Sequence, residues 1–145
     1  MVHKDLRRHK LEEREVKLLL ERMAGVLREI PGLIAAVLYG SVAEGLPFRD
    51  VDVALVVDRR VHPPDRDWEL VNRVADRLEA VIPFPPDVHV VNDAPVALRY
   101  NVTKGKPFLV RDREAWYAFM ERAWDMYFDF APFARRYLEE MAGER

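Results

Sequence analysis

The residues best suited to chemistry in this chain stand close together. Gly40 and Ser41 end one apolar run, and Asp50 and Asp52 begin the next. A Gly-Ser turn can offer backbone N–H groups to a phosphate. Two aspartates two residues apart point to the same side of a strand, and carboxylate oxygens are ligands that magnesium prefers. The segment therefore predicts a phosphate cradle beside a metal site.

The short connection between the two halves of this segment predicts how they lie. Eight residues separate Ser41 from Asp50, whereas a crossover between parallel strands needs about a dozen or more. We therefore expect antiparallel neighbouring strands at 33–39 and 51–57. Gly40, Ser41 and both aspartates then share one edge of a sheet.

A third carboxylate, Asp87, stands just before the apolar run 88–91. A predicted helix lies between this run and the second strand, which allows a crossover and hence parallel strands. Asp87 then joins the other two aspartates at the same edge. Its position after Pro85 and Pro86 is also typical of a turn. His89 should face the same side, either to touch substrate or, as we favour, simply to lie on the sheet face.

Composition excludes several classes of protein. With 145 residues, half of them hydrophobic, we expect one domain over 1–145, with a core at about 1–112 and a helical tail at about 113–145. With a net charge of −2, the chain lacks the excess of basic residues that is typical of proteins that bind nucleic acids or membranes directly. The absence of cysteine excludes a thiol nucleophile and suits a cytoplasmic protein.

Apolar periodicity predicts the elements that must position the aspartates. Helices are expected at 5–29, 66–81, 95–102 and 113–142, the last broken or restarted at Pro132, with a brief fourth strand at 108–110. We interpret the charged run at 7–15 as a solvated helix face and Lys104-Gly105-Lys106 as a turn rather than a phosphate site. The fold class is α/β (α+β), a small mixed sheet flanked by helices.

The tail is rich in aromatic residues. Nine of the fifteen aromatics lie between Trp116 and Tyr137. On a helix, one stripe suits packing against the sheet, and a second stripe contains Tyr117, Trp124 and Phe128. The second stripe indicates a protein partner, with a wide core-facing stripe as the alternative. The first stripe comprises Trp116, Phe119, Met120, Ala123, Tyr127 and Phe130.

These motifs resemble the nucleotidyltransferases of the DNA polymerase beta superfamily, in particular the minimal nucleotidyltransferase (MNT) proteins. Their signature is Gly-Ser, a short loop with Ala and Gly, Asp-x-Asp and a later strand-opening Asp. The chain departs from it in a shorter loop before Asp50 and in Arg49, which either contacts a triphosphate or neutralises the carboxylates. The matching positions are Gly40, Ser41, Ala43, Gly45, Asp50, Asp52 and Asp87.

The resemblance implies a polymerase-beta-like nucleotidyltransferase fold and transfer of a nucleoside monophosphate from a triphosphate to a hydroxyl. Asp50, Asp52 and Asp87 would hold two Mg²⁺ ions, with Asp87 also a possible general base. Gly40, Ser41 and Arg49 would contact the nucleotide.

Residues 91–95 and the tail resemble the MNT antitoxins that accompany HEPN ribonuclease toxins. This second resemblance implies transfer of AMP from ATP to a toxin hydroxyl, with tyrosine preferred, in a hetero-oligomer docked through the tail. Two alternatives stay open. One is an antitoxin that neutralises the toxin by contact alone, and the other is a transferase for a small molecule such as an aminoglycoside.

Overall fold

The computed structural model describes residues 8–143, which form four helices and four strands. The strands are β1 (Leu33–Tyr39), β2 (Val51–Val57), β3 (Pro86–Val90) and β4 (Lys106–Val110). The helices are α1 (Glu13–Leu27), α2 (Asp67–Glu79), α3 (Val96–Thr103) and α4 (Arg113–Gly143), and a 3-10 turn at Pro64–Arg66 leads into α2.

The strands form one mixed sheet in the order β3-β2-β1-β4. β1 is antiparallel to both β2 and β4, whereas β2 and β3 are parallel. The α/β (α+β) class and both predicted strand relations are confirmed, because loop length restricts how consecutive strands can pair. The start of β2 therefore lies beside the end of β1.

Alternating side chains give the sheet two buried faces. Leu38, Val53 and Leu55 face α1 and α2, where they pack with Met23, Leu27, Val74 and Leu78. Val37, Ala54 and Val56 face the other way, where they pack with Val102, Trp116 and Phe119 of α3 and α4. Asp52 alternates onto the α3 and α4 face, so the helices on that face border the predicted site.

The first helix is shorter than predicted. It starts at Glu13, where the Glu15 side chain accepts a hydrogen bond from the Glu12 N–H at 3.1 Å. Residues 8–12 are not helical, and His9 forms an isolated antiparallel bridge with Phe48. Residues 5–7 of the predicted helix lie outside the described residues. The helical interpretation of residues 8–12 is therefore wrong, since pairing with a distant loop overrides local propensity.

The last helix runs unbroken through Pro132, so the predicted break there is wrong. Trp116, Phe119 and Ala123 are buried against the sheet, but Phe130, assigned to the same stripe, is exposed. The stripe ends there because the helix outruns the sheet. In the described part of the chain, no helix is both long and apolar enough to cross a membrane.

Candidate active site

The sheet register brings the predicted site residues to one edge. Asp52 lies opposite Tyr39 across the antiparallel β1–β2 pair and opposite Asp87 across the parallel β2–β3 pair. Gly40 directly follows Tyr39. The Gly-Ser turn, Asp52 and Asp87 therefore occupy three neighbouring strand ends, as the loop-length argument requires.

Gly40 allows the turn to pass close to Asp52. Its φ of +74° lies in the left-handed region, and a Cβ built there would overlap the Asp52 carboxylate. Only glycine fits both the backbone conformation and the space. The turn and the carboxylate are therefore in direct contact.

Asp52 lies in an environment that disfavours negative charge. Burial, followed by the charges of Asp87 and Asp50, raises its pKa from 3.8 to about 6, and His89 has a smaller opposing effect. A hydrogen bond to the Asp87 side chain raises the pKa further, because it favours the protonated carboxyl. Burial, followed by the charges of Asp52 and Asp87, raises the pKa of Tyr39 to about 12. The site thus concentrates negative charge that a cation would relieve.

Asp87 is the accessible member of the carboxylate set. Its side chain is about half exposed, and its Oδ1 lies 3.0 Å from His89 Nε2. His89 therefore faces the same side as Asp87, as alternation predicts. The contact gives His89 a local role in orienting Asp87.

The three carboxylates fit a hard divalent cation by their chemistry. No group of three or more His, Asp or Glu side chains within residues 8–143 has the spacing of a formed metal site. The donor set nevertheless consists of carboxylate oxygens, which magnesium prefers. Burial and the neighbouring carboxylates raise the pKa of Asp52, and a bound cation would counter this by favouring the charged form. We conclude that the residues suit magnesium chemically.

An open cavity of about 280 Å³ lies at this edge. Ser41, Arg49, Asp50 and Asp52 line it, as does Arg8, which sequence reasoning missed. Arg8 was assigned to a solvated helix face, and no local signal distinguishes it from the adjacent basic residues. Only the bridge between His9 and Phe48 brings it to the site.

A smaller cavity of about 160 Å³ connects the turn to the end of α3. Gly40, Lys104 and Gly105 are among the residues that line it. The Lys104-Gly105-Lys106 segment is the turn between α3 and β4, as interpreted from the sequence. Lys104 Nζ lies 4.9 Å from the centre of the Tyr100 ring. The cavity shows that the end of α3 lies level with the Gly-Ser turn.

The C-terminal helix extends past this edge of the sheet. The Arg111 N–H donates to the Ile34 carbonyl at the start of β1, and Trp124 Nε1 donates to Thr103 Oγ1 at 2.9 Å. From Arg113 to Trp124 the helix rises about 17 Å, close to the roughly 17 Å that β1 spans from residue 34 to 39. The remainder of α4 adds about 28 Å of helix after Trp124. By Trp124, α4 has therefore reached the end of the sheet that contains the carboxylates, and it continues as helix after that point.

The projecting part of α4, residues 125–143, exposes large apolar side chains. Tyr127 stacks on Tyr100, with 3.8 Å between ring centres. Further along, the large apolar side chains are more than half exposed: Phe128, Phe130, Phe133, Tyr137 and Met141. We refer to these five residues as the aromatic overhang. An apolar patch of this kind is typical of an interaction surface.

A family model described as "Polymerase beta, Nucleotidyltransferase" matches residues 21–114, the part of the chain that contains all three aspartates. No curated protein matches the chain.

Solved structures with the same fold include antitoxin complexes. A toxin–antitoxin MntA-HepT structure is 20% identical, with 87% of this chain and 98% of that chain covered and a TM-score of 0.60. The tri-AMPylated Shewanella oneidensis HEPN toxin in complex with MNT antitoxin gives the same identity, coverage and TM-score. A toxin–antitoxin structure with AMP-PNP is 21% identical over 85% of this chain and 98% of that chain, with a TM-score of 0.63. At these identities the similarity establishes the fold.

Proposed function

The chain belongs to the polymerase beta nucleotidyltransferase family, and we propose that it is the antitoxin of a HEPN/MNT pair. In this proposal it transfers AMP from ATP to a tyrosine hydroxyl of a HEPN ribonuclease toxin and thereby inactivates the toxin. The main supporting observation is that the carboxylate edge and the aromatic overhang lie at the same end of the sheet. A partner bound to the overhang would be held next to the aspartates. The structurally similar complexes of MNT antitoxins with HEPN toxins support this assignment.

The carboxylates would organise the reaction. Asp50, Asp52 and Asp87 would hold two magnesium ions, which when bound neutralise phosphate charge and lower the pKa of the acceptor hydroxyl. The closeness of Gly40 to Asp52 would let the turn approach the triphosphate, with Ser41 contributing its hydroxyl. These residues would therefore orient the α-phosphate toward the acceptor.

Asp87 is suited to accept the proton. The acceptor oxygen forms a bond to the α-phosphorus, the bond from that phosphorus to the bridging oxygen breaks, and pyrophosphate leaves with the electron pair. The hydroxyl proton passes to the Asp87 carboxylate, which is exposed enough for a protein-borne hydroxyl to reach it. His89, in contact with that carboxylate, would hold it in position.

The proposal is tested by intact mass spectrometry of the partner. The chain is incubated with ATP, magnesium and the HEPN protein encoded by a neighbouring reading frame. We expect the partner to gain the mass of one or more AMP groups, and the Asp50→Ala/Asp52→Ala variant to abolish the gain. Asp76→Asn, which alters an exposed carboxylate on α2, should leave it unchanged. Neutralisation of the toxin without a mass change would instead support inhibition by contact.

A further inference from the structure

Arg8 and Arg49 flank the bridge that joins the N-terminal segment to the loop before Asp50. His9 and Phe48 exchange two backbone hydrogen bonds of 2.8 Å each in an antiparallel bridge. In that register the residue before His9 lies opposite the residue after Phe48. Arg8 and Arg49 are therefore cross-strand neighbours.

The bridge also determines the direction of the two arginines. Phe48 is buried, and the His9 ring lies 4.9 Å from the Phe84 ring. Since side chains alternate along extended chain, Arg8 and Arg49 point away from this aromatic contact. Both line the cavity that also contains Ser41, Asp50 and Asp52.

Within residues 8–143, neither guanidinium group has a side-chain partner. In the part of the chain that the structure describes, Arg8 and Arg49 make no ion pair or hydrogen bond. Two like charges placed opposite each other are unfavourable by themselves, so an anion bound between the two guanidinium groups would be stabilised by both.

We infer that Arg8, together with Arg49, clamps the triphosphate of the donor nucleotide. This inference rests on the proposed function. Planar guanidinium groups bind phosphate oxygens through two parallel hydrogen bonds. Two magnesium ions would leave part of the combined charge of three carboxylates and a triphosphate unbalanced, and the arginines supply the missing positive charge. The N-terminal segment is therefore part of the nucleotide site.

The inference is tested by calorimetric titration of the full chain with ATP and with AMP, both in the presence of magnesium. Arg8→Gln should weaken ATP binding by about tenfold or more, because a charge-assisted contact is lost. AMP affinity should change less than about twofold, because the two arginines are proposed to contact the β- and γ-phosphates, which AMP lacks. Arg8→Lys should bind ATP with intermediate affinity, since lysine keeps the charge but lacks the planar group that forms two parallel hydrogen bonds. The matched control is Lys10→Gln, which removes the same charge from the same segment outside the cavity and should bind both nucleotides like the unaltered chain.

Two results would overturn the clamp. One is equal ATP affinity in Arg8→Gln and Lys10→Gln, and the other is an equal loss of ATP and AMP affinity in Arg8→Gln, which would mean that Arg8 only supports the local structure. If the unaltered chain binds no ATP, the proposed function fails and the clamp fails with it. If the unaltered chain binds ATP and modifies the toxin while Arg8→Gln binds ATP equally well, only the clamp fails.

Discussion

Asp52 is half-buried next to two other carboxylates, and its chemistry depends on this crowding. Its charged form is disfavoured by burial and by the charges of Asp87 and Asp50. A bound cation would reverse this balance, because opposite charge favours the carboxylate. The same crowding that suits the site to metal binding therefore destabilises the metal-free protein.

Asp52→Asn is expected to stabilise the metal-free protein at neutral pH. The pKa of Asp52 in the folded chain, about 6, is above its ordinary value of 3.8. The protonated carboxyl therefore favours the folded state below pH 4, and this contribution is lost as pH rises through 6. In EDTA, Asp52→Asn should raise the Tm by a few degrees at pH 7.5 and by almost nothing at pH 4. Asp76→Asn, on exposed α2 surface, should show no such difference, and equal shifts at both pH values would contradict the prediction.

Gly40→Ala and Gly45→Ala separate backbone strain from damage to the site. Both glycines have φ near +74°, but only a Cβ at Gly40 would meet Asp52, whereas a Cβ at Gly45 meets nothing within 4 Å. Gly45→Ala should lose roughly 1–2 kcal/mol of unfolding free energy from backbone strain alone, and Gly40→Ala should lose more because the Asp52 side chain must also shift, both measured in urea. Only Gly40→Ala should also lose AMP transfer, by more than about tenfold. Equal loss of transfer in both variants would mean that the turn conformation, not contact with Asp52, matters.

At the scale of elements, α4 combines two different surfaces on one helix. Its first half packs against the sheet through Trp116, Phe119 and Ala123, and its second half exposes the aromatic overhang. The periodicity of the sequence is continuous across both halves. Burial along α4 ends where the sheet and α3 no longer lie beneath it, because a helical residue is covered only by an element packed against it.

Phe119→Ala and Phe133→Ala should have opposite consequences. Phe119 is 3% exposed and Phe133 is 72% exposed, on the same helix. Phe119→Ala should lower the unfolding free energy by roughly 3–5 kcal/mol. Phe133→Ala should change it by less than about 0.5 kcal/mol but weaken binding of the HEPN partner by about tenfold. Thermal unfolding and calorimetric titration with the partner measure the two effects, and unchanged partner affinity in Phe133→Ala would argue against docking at the overhang.

At the scale of the whole molecule, the overhang and the carboxylate edge lie at one end of the sheet, while polar contacts hold the opposite end. There, Arg59 pairs with Asp67 and Asp93, and the Asn92 side chain bonds both backbone groups of Val57. Asn92 and Asp93, which contribute to the resemblance to antitoxins, thus contact the far end of β2 rather than the site. Polar contacts therefore stabilise one end of the sheet, and the candidate active site lies at the other end.

A chain truncated after Asp129 should still fold and bind ATP but should transfer AMP to its partner much less efficiently. The described side chains beyond Asp129 are exposed, so the Tm should fall by only a few degrees and ATP binding should be unchanged. AMP transfer to the partner should fall by at least about tenfold, because the acceptor is no longer held at the site. Mass spectrometry of the partner and calorimetry with ATP measure the two properties. Retained transfer would show that the partner docks elsewhere.

The sequence by itself predicts the acidic residues of the candidate site and the edge of the sheet that they share. The short loop between Ser41 and Asp50 restricts how the two strands can pair. The common sheet edge of Gly40, Ser41, Asp50 and Asp52 could therefore be predicted. These signals are local, and loop length is a constraint that sequence states directly.

Two other features, the end of burial along α4 and the position of Arg8, depended on tertiary structure alone. The end of burial along α4 depends on the elements packed beneath it, and Arg8 reaches the cavity because its neighbour His9 pairs with the distant residue Phe48. A long-range contact is determined by how the whole chain packs and leaves no local pattern. The acidic residues of the candidate site and Arg49 could therefore be found in the sequence, whereas Arg8 and the position of the proposed docking surface required the fold.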